Sequence, residues 1–519
     1  MKPRIVTLLT AGAGTVLLLV AVLLRAMAGA SPSPLPGMIR PETDRVFTST
    51  RYIASLAVAP DGGLWAATTG GVLRRTPDGA WRKFTRLDGL PSHEARSFLI
   101  NGANVTTFFP TASAAWQADG WHAGSSVRYA GLRDGQTCAA VWDGNTCAAM
   151  VTGLSIKRGD KWRQVGMPLS VGTHISALLP RGKTLWAALY GDGLWQYDGK
   201  AWQFVLAVPA AAREMTALAA AGDTLWLGTR REGLWSYQAE HWRRHPQPDE
   251  PYDHNVQSFA IYRDCLFMGT LEDGLAVYTG DGWRRYAAPE ISSGAPRQMT
   301  VFHEALYLRH GSGKVDRFDG RRWERDVCKD LPRKEASALA ADGERLYVAQ
   351  WGGWSEYDGR AWTHFLKLPD LQGLAITALL PDGDTLWIGT QQRGLAEYAH
   401  AAGTLRWHDD RGGLPDDWIK YLARQGNILC AGTFVGGLAC RNGQDWSFAL
   451  PGEEITALAA NAAGTLFLGT RKGLWQRQPG GAPAKVERPF LDEEIQALQV
   501  DGEHLWVGTR TGLFFLMAP

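Results

Sequence analysis

The chain has 519 residues, a formal net charge of +2 and 45% hydrophobic residues, among them 23 Trp. This apolar content can build cores, so the composition excludes a disordered chain, a collagen and a coiled coil. The charge excess lies in the first 30 residues, where Lys2, Arg4 and Arg25 stand without an acid. A near-neutral remainder argues against nucleic acid or an anionic membrane surface as the main partner.

Residues 1–30 form a targeting segment. They combine a basic start, an apolar run from Ile5 to Leu24 and small residues after Arg25, which is typical of a secretory signal. The run is also long enough to span a bilayer of about 30 Å as a helix. A cleaved signal peptide and an inner-membrane anchor over residues 5–24 therefore both stay open. Both alternatives predict that the rest of the chain is exported to the periplasm or cell envelope. A Pro/Ser linker over residues 31–43 precedes this exported part.

One repeat of about 40 residues fills the rest of the chain. Its first marker is a tryptophan, found at Trp81, Trp121, Trp162, Trp202, Trp242, Trp283, Trp323, Trp362, Trp407 and Trp446. Its second marker is an aromatic residue, found at Trp65, Trp186, Trp226, Phe267, Tyr307, Tyr347, Trp387, Phe467 and Trp506. A Gly-Leu pair often follows the second marker. Together these markers indicate twelve copies, and we interpret the aromatic residues in both positions as core.

Each copy contains four short strand signals. In residues 375–407, apolar stretches at 375–380, 385–390 and 395–398 alternate with turns, and Trp407 lies in the fourth strand. Four strands in about 40 residues, repeated in tandem, are typical of a β-propeller blade. The sequence therefore predicts an all-β propeller of about twelve four-stranded blades.

The ends of the repeat array predict how it closes. Residues 44–50 resemble a fourth strand without a blade, and the last copy stops after a third strand at 512–516. The N-terminal strand can thus complete the last blade and remove a free edge. Because most propellers have four to eight blades, we expect two rings of six and six or five and seven, with one large ring as the alternative. Residues 289–296 are the candidate junction between an N-terminal half at 44–288 and a C-terminal half at 289–519.

Four of the six cysteines are candidates for disulfides, which an exported protein can form. Cys138 and Cys147 flank a predicted hairpin turn, and Cys430 and Cys440 lie on successive strands. No cysteine has metal-ligand spacing. The sequence predicts neither a metal nor a cofactor.

The repeat resembles the two-component regulator propeller family. Residues 376–390 read Ile-Thr-Ala-Leu-Leu-Pro-Asp-Gly-Asp-Thr-Leu-Trp-Ile-Gly-Thr, and Asp88-Gly89-Leu90-Pro91 and Gly413-Leu414-Pro415 resemble the loop that leads into that family's blades. The resemblance covers most of 44–516. It implies a periplasmic ligand-binding sensor domain involved in signal transduction. The sequence shows no kinase region, so we expect any signalling to pass through a partner protein.

Candidate ligand-binding residues lie in the turns between second and third strands and in the loops before first strands. These two sets of loops emerge on one face of a propeller, and an aromatic residue there is not required by packing. The polar and aromatic candidates in these loops are Tyr190, Asp192, Arg230, Arg231, Gln350, Trp351, Gln391, Arg393, Trp418 and Phe434. Exposed aromatic side chains beside polar groups suit a glycan or another flat ligand. Further charged residues of these turns, Arg309 and His310 among them, are interpreted as solvated, with the binding of an anionic ligand as the alternative.

We therefore expect a non-catalytic binding or sensor protein that recognises a small ligand or glycan, or an envelope or signalling protein. A scaffold or adaptor of an envelope assembly is the alternative. A lyase or hydrolase in the channel is a weaker one, because the sequence contains neither a G-x-S-x-G nor an H-E-x-x-H motif.

Overall fold

The computed structural model describes residues 35–117, 120–124, 136–150, 153–166, 174–247, 250–488 and 490–517. The predicted signal or anchor at 1–30 and the start of the linker lie outside the described residues. Within these ranges, no helix is both long and apolar enough to cross a membrane. The described chain is all-β, with four short 3-10 turns at Arg86–Asp88, Ala210–Ala212, Pro369–Leu371 and Asp410–Gly412.

Among the described residues, forty-eight strands form twelve antiparallel sheets of four strands each, which confirms the predicted β-propeller blades. The first strand of the chain is β1 (Arg45–Phe47). Blades 1 to 5 follow in order, and their strands are β2 (Ile53–Val58), β3 (Leu64–Thr68), β4 (Gly71–Arg75), β5 (Trp81–Phe84); β6 (Ser97–Asn101), β7 (Asn104–Phe108), β8 (Ser113–Gln117), β9 (Gly120–Ala123); β10 (Gln136–Trp142), β11 (Asn145–Met150), β12 (Gly153–Arg158), β13 (Lys161–Val165); β14 (Ile175–Arg181), β15 (Thr184–Leu189), β16 (Gly193–Tyr197), β17 (Trp202–Ala207); β18 (Met215–Ala221), β19 (Thr224–Thr229), β20 (Leu234–Gln238), β21 (His241–His245).

Blades 6 to 12 have the same order of strands, from the innermost to the outermost. Their strands are β22 (Val256–Tyr262), β23 (Cys265–Thr270), β24 (Leu275–Thr279), β25 (Gly282–Tyr286); β26 (Pro296–Phe302), β27 (Ala305–His310), β28 (Val315–Phe318), β29 (Trp323–Glu324); β30 (Ala338–Ala341), β31 (Leu346–Gln350), β32 (Gly353–Tyr357), β33 (Trp362–Phe365); β34 (Ile376–Asp382), β35 (Thr385–Thr390), β36 (Leu395–Ala399), β37 (Thr404–His408); β38 (Ile419–Gln425), β39 (Ile428–Thr433), β40 (Leu438–Asn442), β41 (Asp445–Ala449); β42 (Ile455–Ala460), β43 (Leu466–Thr470), β44 (Gly473–Arg477), β45 (Ala484–Lys485); β46 (Ile495–Asp501), β47 (His504–Thr509), β48 (Leu513–Leu516).

The N-terminal strand completes the last blade, as predicted. β1 pairs antiparallel with β48, with Val46 opposite Phe514. Phe47 is 2% exposed and contacts Tyr278 of blade 6 and Trp506 of blade 12, with ring centroids 5.2 and 6.0 Å apart. The strand therefore removes an exposed sheet edge and also adds an aromatic side chain between two blades.

The Gly-Thr pair that ends many second strands has two separate structural roles. The Thr hydroxyl donates to the carbonyl of the glycine at the following turn, as Thr390 does to Gly394 at 2.9 Å. The glycine lets the next blade pack closely: a Cβ on Gly389 would lie 2.8 Å from a methyl of Ile419, which begins the next blade's inner strand. The repeat thus encodes both its turn and its blade-to-blade contact.

These glycine contacts indicate which blades are neighbours. A Cβ on Gly228 of blade 5 would meet Ile53 of blade 1 at 2.5 Å, and a Cβ on Gly508 of blade 12 would meet Val256 of blade 6 at 2.5 Å. The innermost strands β22, β26, β30, β34, β38, β42 and β46 contact one another in sequence, and β46 contacts β22. We infer that blades 1–5 and blades 6–12 form separate groups of five and seven. Blade 6 packs on blade 7, so the contacts do not change at the candidate junction 289–296.

Two chain segments connect the groups and are hydrogen-bonded to each other. Thr50 Oγ1 donates to the Glu250 carboxylate at 2.7 Å, and Lys83 Nζ lies 3.0 Å from that carboxylate. The backbone N–H of Ser49 donates to Nδ1 of the buried His254 at 3.0 Å. This hydrogen bond requires Nδ1 of His254 to be the acceptor, so that nitrogen must be unprotonated.

We expect acidification to destabilise this connection. Burial lowers the pKa of His254 below its usual 6.5, whereas the unfolded chain takes up the proton near pH 6.5. The unfolded state then binds more protons, so stability is complete above about pH 6.5 and decreases below it. In urea unfolding, the free energy of unfolding should decrease less between about pH 7.5 and about pH 5.5 in His254→Gln than in the wild type. Equal losses in the two proteins would contradict the assignment.

Of the two predicted disulfides, the structure forms one. Cys430 and Cys440 lie directly opposite each other on β39 and β40 and are bridged. Cys147 is a buried thiol outside any disulfide, so its predicted bridge to Cys138 is wrong. Cys147 faces Ala140 and Cys138 faces Ala149, and such diagonal positions are about 7–8 Å apart, too far for a disulfide.

The aromatic positions of the repeat are confirmed as parts of the sheets, with a difference in burial. The second marker lies on second strands and is mostly buried, as with Trp65 at 1% and Trp506 at 0% exposed. The first marker lies on outermost strands, which have only one neighbouring strand. Its tryptophans are mostly half-buried, and Trp162 is 49% exposed, so the interpretation of Trp162 as core is wrong.

Candidate functional site

The turns between second and third strands lie beside the loops before first strands, on one face of each group of blades, which we call the loop face. Backbone hydrogen bonds join the two sets of loops: Tyr190 N–H donates to His174, Gln391 to Ala375, and Phe434 to Trp418, at 3.0, 3.0 and 3.1 Å. The predicted site residues are therefore on equivalent faces, divided between the two groups of blades.

The first set of predicted residues lies on blades 4 and 5. Tyr190 stacks on His174 with ring centroids 5.0 Å apart. A side-chain hydrogen bond between the Tyr190 hydroxyl group and Arg230 raises the pKa of the Arg230 guanidinium. Both residues line a cavity of about 510 Å³ that also contacts blade 1. Asp192 accepts from Trp195 Nε1 at 2.8 Å, and Arg231 lies 3.6 Å from Glu214. Tyr190 and Arg230 thus come together, while Asp192 and Arg231 have local partners.

Gln350 and Trp351 of blade 8 have different environments. Gln350 is 0% exposed, donates to the Arg333 carbonyl and accepts from Ser355 Oγ at 2.8 Å. It replaces the Thr of the Gly-Thr pair and satisfies buried polar groups. Trp351, the next residue, is 58% exposed and remains a candidate.

Gln391 and Arg393 lie in the corresponding turn of blade 9. Arg393 donates to the Asp370 carbonyl at 3.0 Å, and its guanidinium lies 4.3 Å from the centre of the Trp407 ring. This stacking directs the side chain towards the outermost strand, away from the centre of the group. Gln391 is half-buried beside it.

Trp418 and Phe434 of blade 10 form a stacked pair. Their ring centroids are 4.3 Å apart with an angle of 26° between the planes. Trp418 precedes β38 and Phe434 follows β39, so the pair combines both kinds of loop named by the sequence. Lys420 Nζ lies 5.8 Å from the Phe434 ring. Sequence reasoning thus named two aromatic residues that the fold brings into contact.

Trp418 also lines an open cavity at the centre of blades 6–12, which we call the axial cavity. It measures about 450 Å³, and its other polar lining residues are Arg297, Gln298, Arg309, Ser337, Thr377, Lys420 and Tyr421. These residues belong to blades 7, 8, 9 and 10. Because blades 7 and 10 are not neighbours, a cavity that touches both must lie at the axis of the group.

The charge of the axial cavity is mostly positive. Lys420 pairs with Glu454, which also pairs with Arg471. Arg297 donates to the Gln257 side chain. Arg309 Nε is buried without a hydrogen-bond partner among the described residues, and burial followed by the charge of Arg297 lowers the pKa of Arg309 to about 10. Burial raises the pKa of the Tyr421 phenol to about 12, so this group is a neutral donor at neutral pH.

Sequence analysis did not identify this cavity and interpreted Arg309 as solvated. A signal was present, because the cavity residues break the repeat. Thr216, Thr377 and Thr456 hold equivalent positions and each donates to a carbonyl of the neighbouring blade. The residues Arg297 and Lys420 occupy this position in blades 7 and 10. A long cationic side chain at a position where other blades have a threonine that contacts the neighbouring blade indicates a role other than packing.

The described ranges contain no group of three His, Cys, Asp or Glu residues arranged to hold a metal ion.

No protein-family model and no curated protein matches the sequence. Solved structures share its fold. PorZ, described as an essential bacterial surface component of the type-IX secretion system of Porphyromonas gingivalis, is 13% identical with a TM-score of 0.62, over 91% of this chain and 87% of PorZ. The GH74 xyloglucanase of Xanthomonas campestris is 14% identical with a TM-score of 0.50, over 90% of this chain and 83% of the enzyme.

The extracellular domain of the hybrid two-component system BT4673 of B. thetaiotaomicron has lower structural similarity. It is 14% identical with a TM-score of 0.44, over 94% of this chain and 76% of that domain. At these identities the likeness concerns the propeller fold. The same fold therefore occurs in a surface component and in an enzyme, and a function must be argued from the site.

Proposed function

We propose that this chain is an exported, non-catalytic binding protein that recognises a ligand on the loop face of blades 6–12. The observation that carries the proposal is the stacked pair Trp418–Phe434 beside the open axial cavity of about 450 Å³. Small-molecule sites combine such an aromatic surface with a few polar groups that converge on the same space. The ligand would enter along the axis, with Trp418 as its aromatic contact.

A sensor or adaptor role follows from this proposal. Export is supported by the basic and apolar residues 1–30, and the resemblance of the repeat to two-component regulator propellers supports sensing. A glycan suits the site because aromatic faces contact sugar rings and the polar lining can bind hydroxyl groups. A partner protein in the envelope would then transmit the signal.

The scaffold of an envelope assembly is the second candidate. It is favoured by exposed apolar side chains on the same face, Leu271 at 41%, Trp351 at 58% and Val435 at 54%. Exposed apolar residues that share one face are typical of protein-binding surfaces. PorZ, whose fold is similar, is described as a surface component of a secretion system, so the fold is compatible with this role.

An enzyme in the channel has less support. Besides Trp418, the polar lining of the axial cavity consists of cations, hydroxyl groups, one amide and one phenol. Glu454, the acid next to it, is held between Lys420 and Arg471, and this pairing lowers the pKa of the carboxylate. Such a group is a weak general base, so the site offers no evident acid–base pair.

Trp418→Ala tests the binding proposal. Wild-type protein is screened by thermal shift against a panel of glycans and small anions, where a ligand at 100 times its Kd adds about 2.7 kcal/mol. We expect Trp418→Ala to weaken the ligand that scores best at least about tenfold in titration calorimetry, because the ligand loses its aromatic contact.

Trp351→Ala is the matched control, since it removes another aromatic side chain of the same loop face outside the axial cavity. We expect it to bind as the wild type does. Equal affinity of both variants and the wild type would contradict the proposed site. A panel without any hit, together with a stable protein complex recovered from envelopes, would favour the scaffold.

A further inference from the structure

Arg309 occupies a position that is glycine in five of the seven blades 6–12 and Ala349 in blade 8. The equivalent residues of blades 9, 10, 11 and 12 are Gly389, Gly432, Gly469 and Gly508, and each lies against the first residue of the next blade's inner strand. A Cβ at these glycines would approach that isoleucine or valine to between 2.5 and 2.9 Å. Blade 7 therefore replaces the smallest residue with one of the largest.

A second substitution makes room for the first. The residue of blade 8 that corresponds to Ile419 of blade 10 is Ala336, which comes directly before the cavity residue Ser337. Alanine is smaller than isoleucine, so this position leaves more room for a long side chain on blade 7. The two departures from the repeat lie on neighbouring blades, and together they place a guanidinium in the axial cavity.

The placement of Arg309 is costly in the absence of a ligand. The only hydrogen bond of its side chain among the described residues is a long one, 3.5 Å from Nη1 to the His310 carbonyl, and its Nε has no partner. Arg297, a second cation, acts on Arg309 through its charge. A partly buried charge with few hydrogen bonds destabilises a fold, and a like charge near it adds to this cost.

The remaining charges around the cavity do not neutralise the two arginines. Glu454 is shared by Lys420 and Arg471. Glu494 acts on Tyr421 and Arg471 through space. The cavity therefore combines two guanidinium groups, a neutral phenol and the edge of the Trp418–Phe434 stack. Guanidinium groups bind carboxylates and phosphates through paired N–H donors.

We propose that the axial cavity is an oxyanion site, in which Arg309 and Arg297 bind a carboxylate or phosphate group of the ligand while Trp418 contacts its uncharged part. This inference rests on the proposed function and specifies its ligand as acidic. Arg297, which is exposed, meets the anion at the opening, and Arg309 binds it inside. Binding removes the repulsion between the two arginines and gives Arg309 the partner that it lacks.

The first test needs no ligand. Arg309→Met removes the charge and keeps a long side chain, so we expect the unliganded variant to melt at a higher temperature than the wild type. An arginine with a structural role predicts the opposite result. Arg317→Met on the same blade is the control, because Arg317 pairs with Glu324 at 3.1 Å outside the axial cavity, and it should not raise the melting temperature.

The second test measures binding with defined probes. Inorganic phosphate, glucuronate and neutral glucose are titrated at constant ionic strength into the wild type, Arg309→Met, Arg309→Lys and Arg317→Met. We expect at least one anion to bind the wild type and Arg317→Met, and its affinity to fall at least about tenfold in Arg309→Met. Arg309→Lys keeps the charge without the paired donors and should have an intermediate affinity.

The titrations distinguish the possible sources of the anion. They also distinguish the oxyanion site from the proposed binding function. Phosphate binding without glucuronate binding identifies a phosphorylated ligand, and the reverse identifies an acidic sugar. A neutral glycan from the panel that needs Trp418 but not Arg309 would overturn the oxyanion site and leave the proposed binding function intact. Absence of binding by every probe, with a lower melting temperature of Arg309→Met, would overturn this inference as well.

Discussion

Replacing Trp226 with alanine is expected to lower the free energy of unfolding by about 3–5 kcal/mol. Trp226 is 4% exposed and packs in one cluster with Ile53, Leu64 and Leu73 of blade 1, although it belongs to blade 5. Its ring also lies 5.0 Å from that of His245. The substitution would leave a cavity between two blades that cannot collapse easily, since each is held by its own sheet.

Chemical denaturation of Trp226→Ala and Trp351→Ala would check this expectation. Trp351 has the same chemical type but is 58% exposed, and we expect its replacement to change stability by no more than about 0.5 kcal/mol. Equal losses in the two variants would contradict the division of the aromatic residues into packed and loop classes.

Gly508→Ala is expected to cost about 1–3 kcal/mol through overpacking. The added Cβ would lie 2.5 Å from Cγ1 of Val256 and 2.9 Å from the Phe259 ring. This contact joins blade 12 to blade 6, so the substitution acts on the closure of the seven-blade group. Gly343→Ala is the control, because its Cβ would meet nothing within 4 Å.

A double-mutant cycle makes the same prediction specific to the grouping of blades. Val256→Ala creates the space that Gly508→Ala needs, so the double variant should recover part of the loss, with a coupling of about 0.5–3 kcal/mol. In two rings of six, blade 12 would close on blade 7 and Gly508 would not contact Val256. Additive losses in urea unfolding would therefore argue against the grouping of five and seven.

The candidate site was predictable in part. Trp418 and Phe434 were named because no packing rule requires aromatic residues in loops, and they stack on each other beside the axial cavity. Gln350 has a different environment. It lies at the end of a strand, where other blades have a threonine, and its amide satisfies buried groups. A loop position in the sequence does not by itself distinguish these cases.

Arg309 illustrates what local sequence misses. In the sequence it is one of many charged residues near a turn, and exposed charge is the usual state of arginine. In the structure it is partly buried and lines the axial cavity together with Tyr421 of blade 10. Comparing each copy with the repeat, position by position, would have shown an arginine in place of glycine and an alanine in place of isoleucine.

The sequence alone determined the blades of this protein. Strand lengths, turns and the aromatic positions follow from patterns within about 40 residues, because backbone hydrogen bonds and turns form between residues close in the chain. The pairing of β1 with β48 was predictable from the unmatched strands at the two ends of the repeat array. Only the tertiary structure decided which blades are neighbours and which polar side chains are buried. Almost every blade presents a similar surface of small and apolar residues to the next blade. The local sequence is therefore compatible with several ways of grouping the blades into rings. The contacts of Gly228 with Ile53 and of Gly508 with Val256 select one of them.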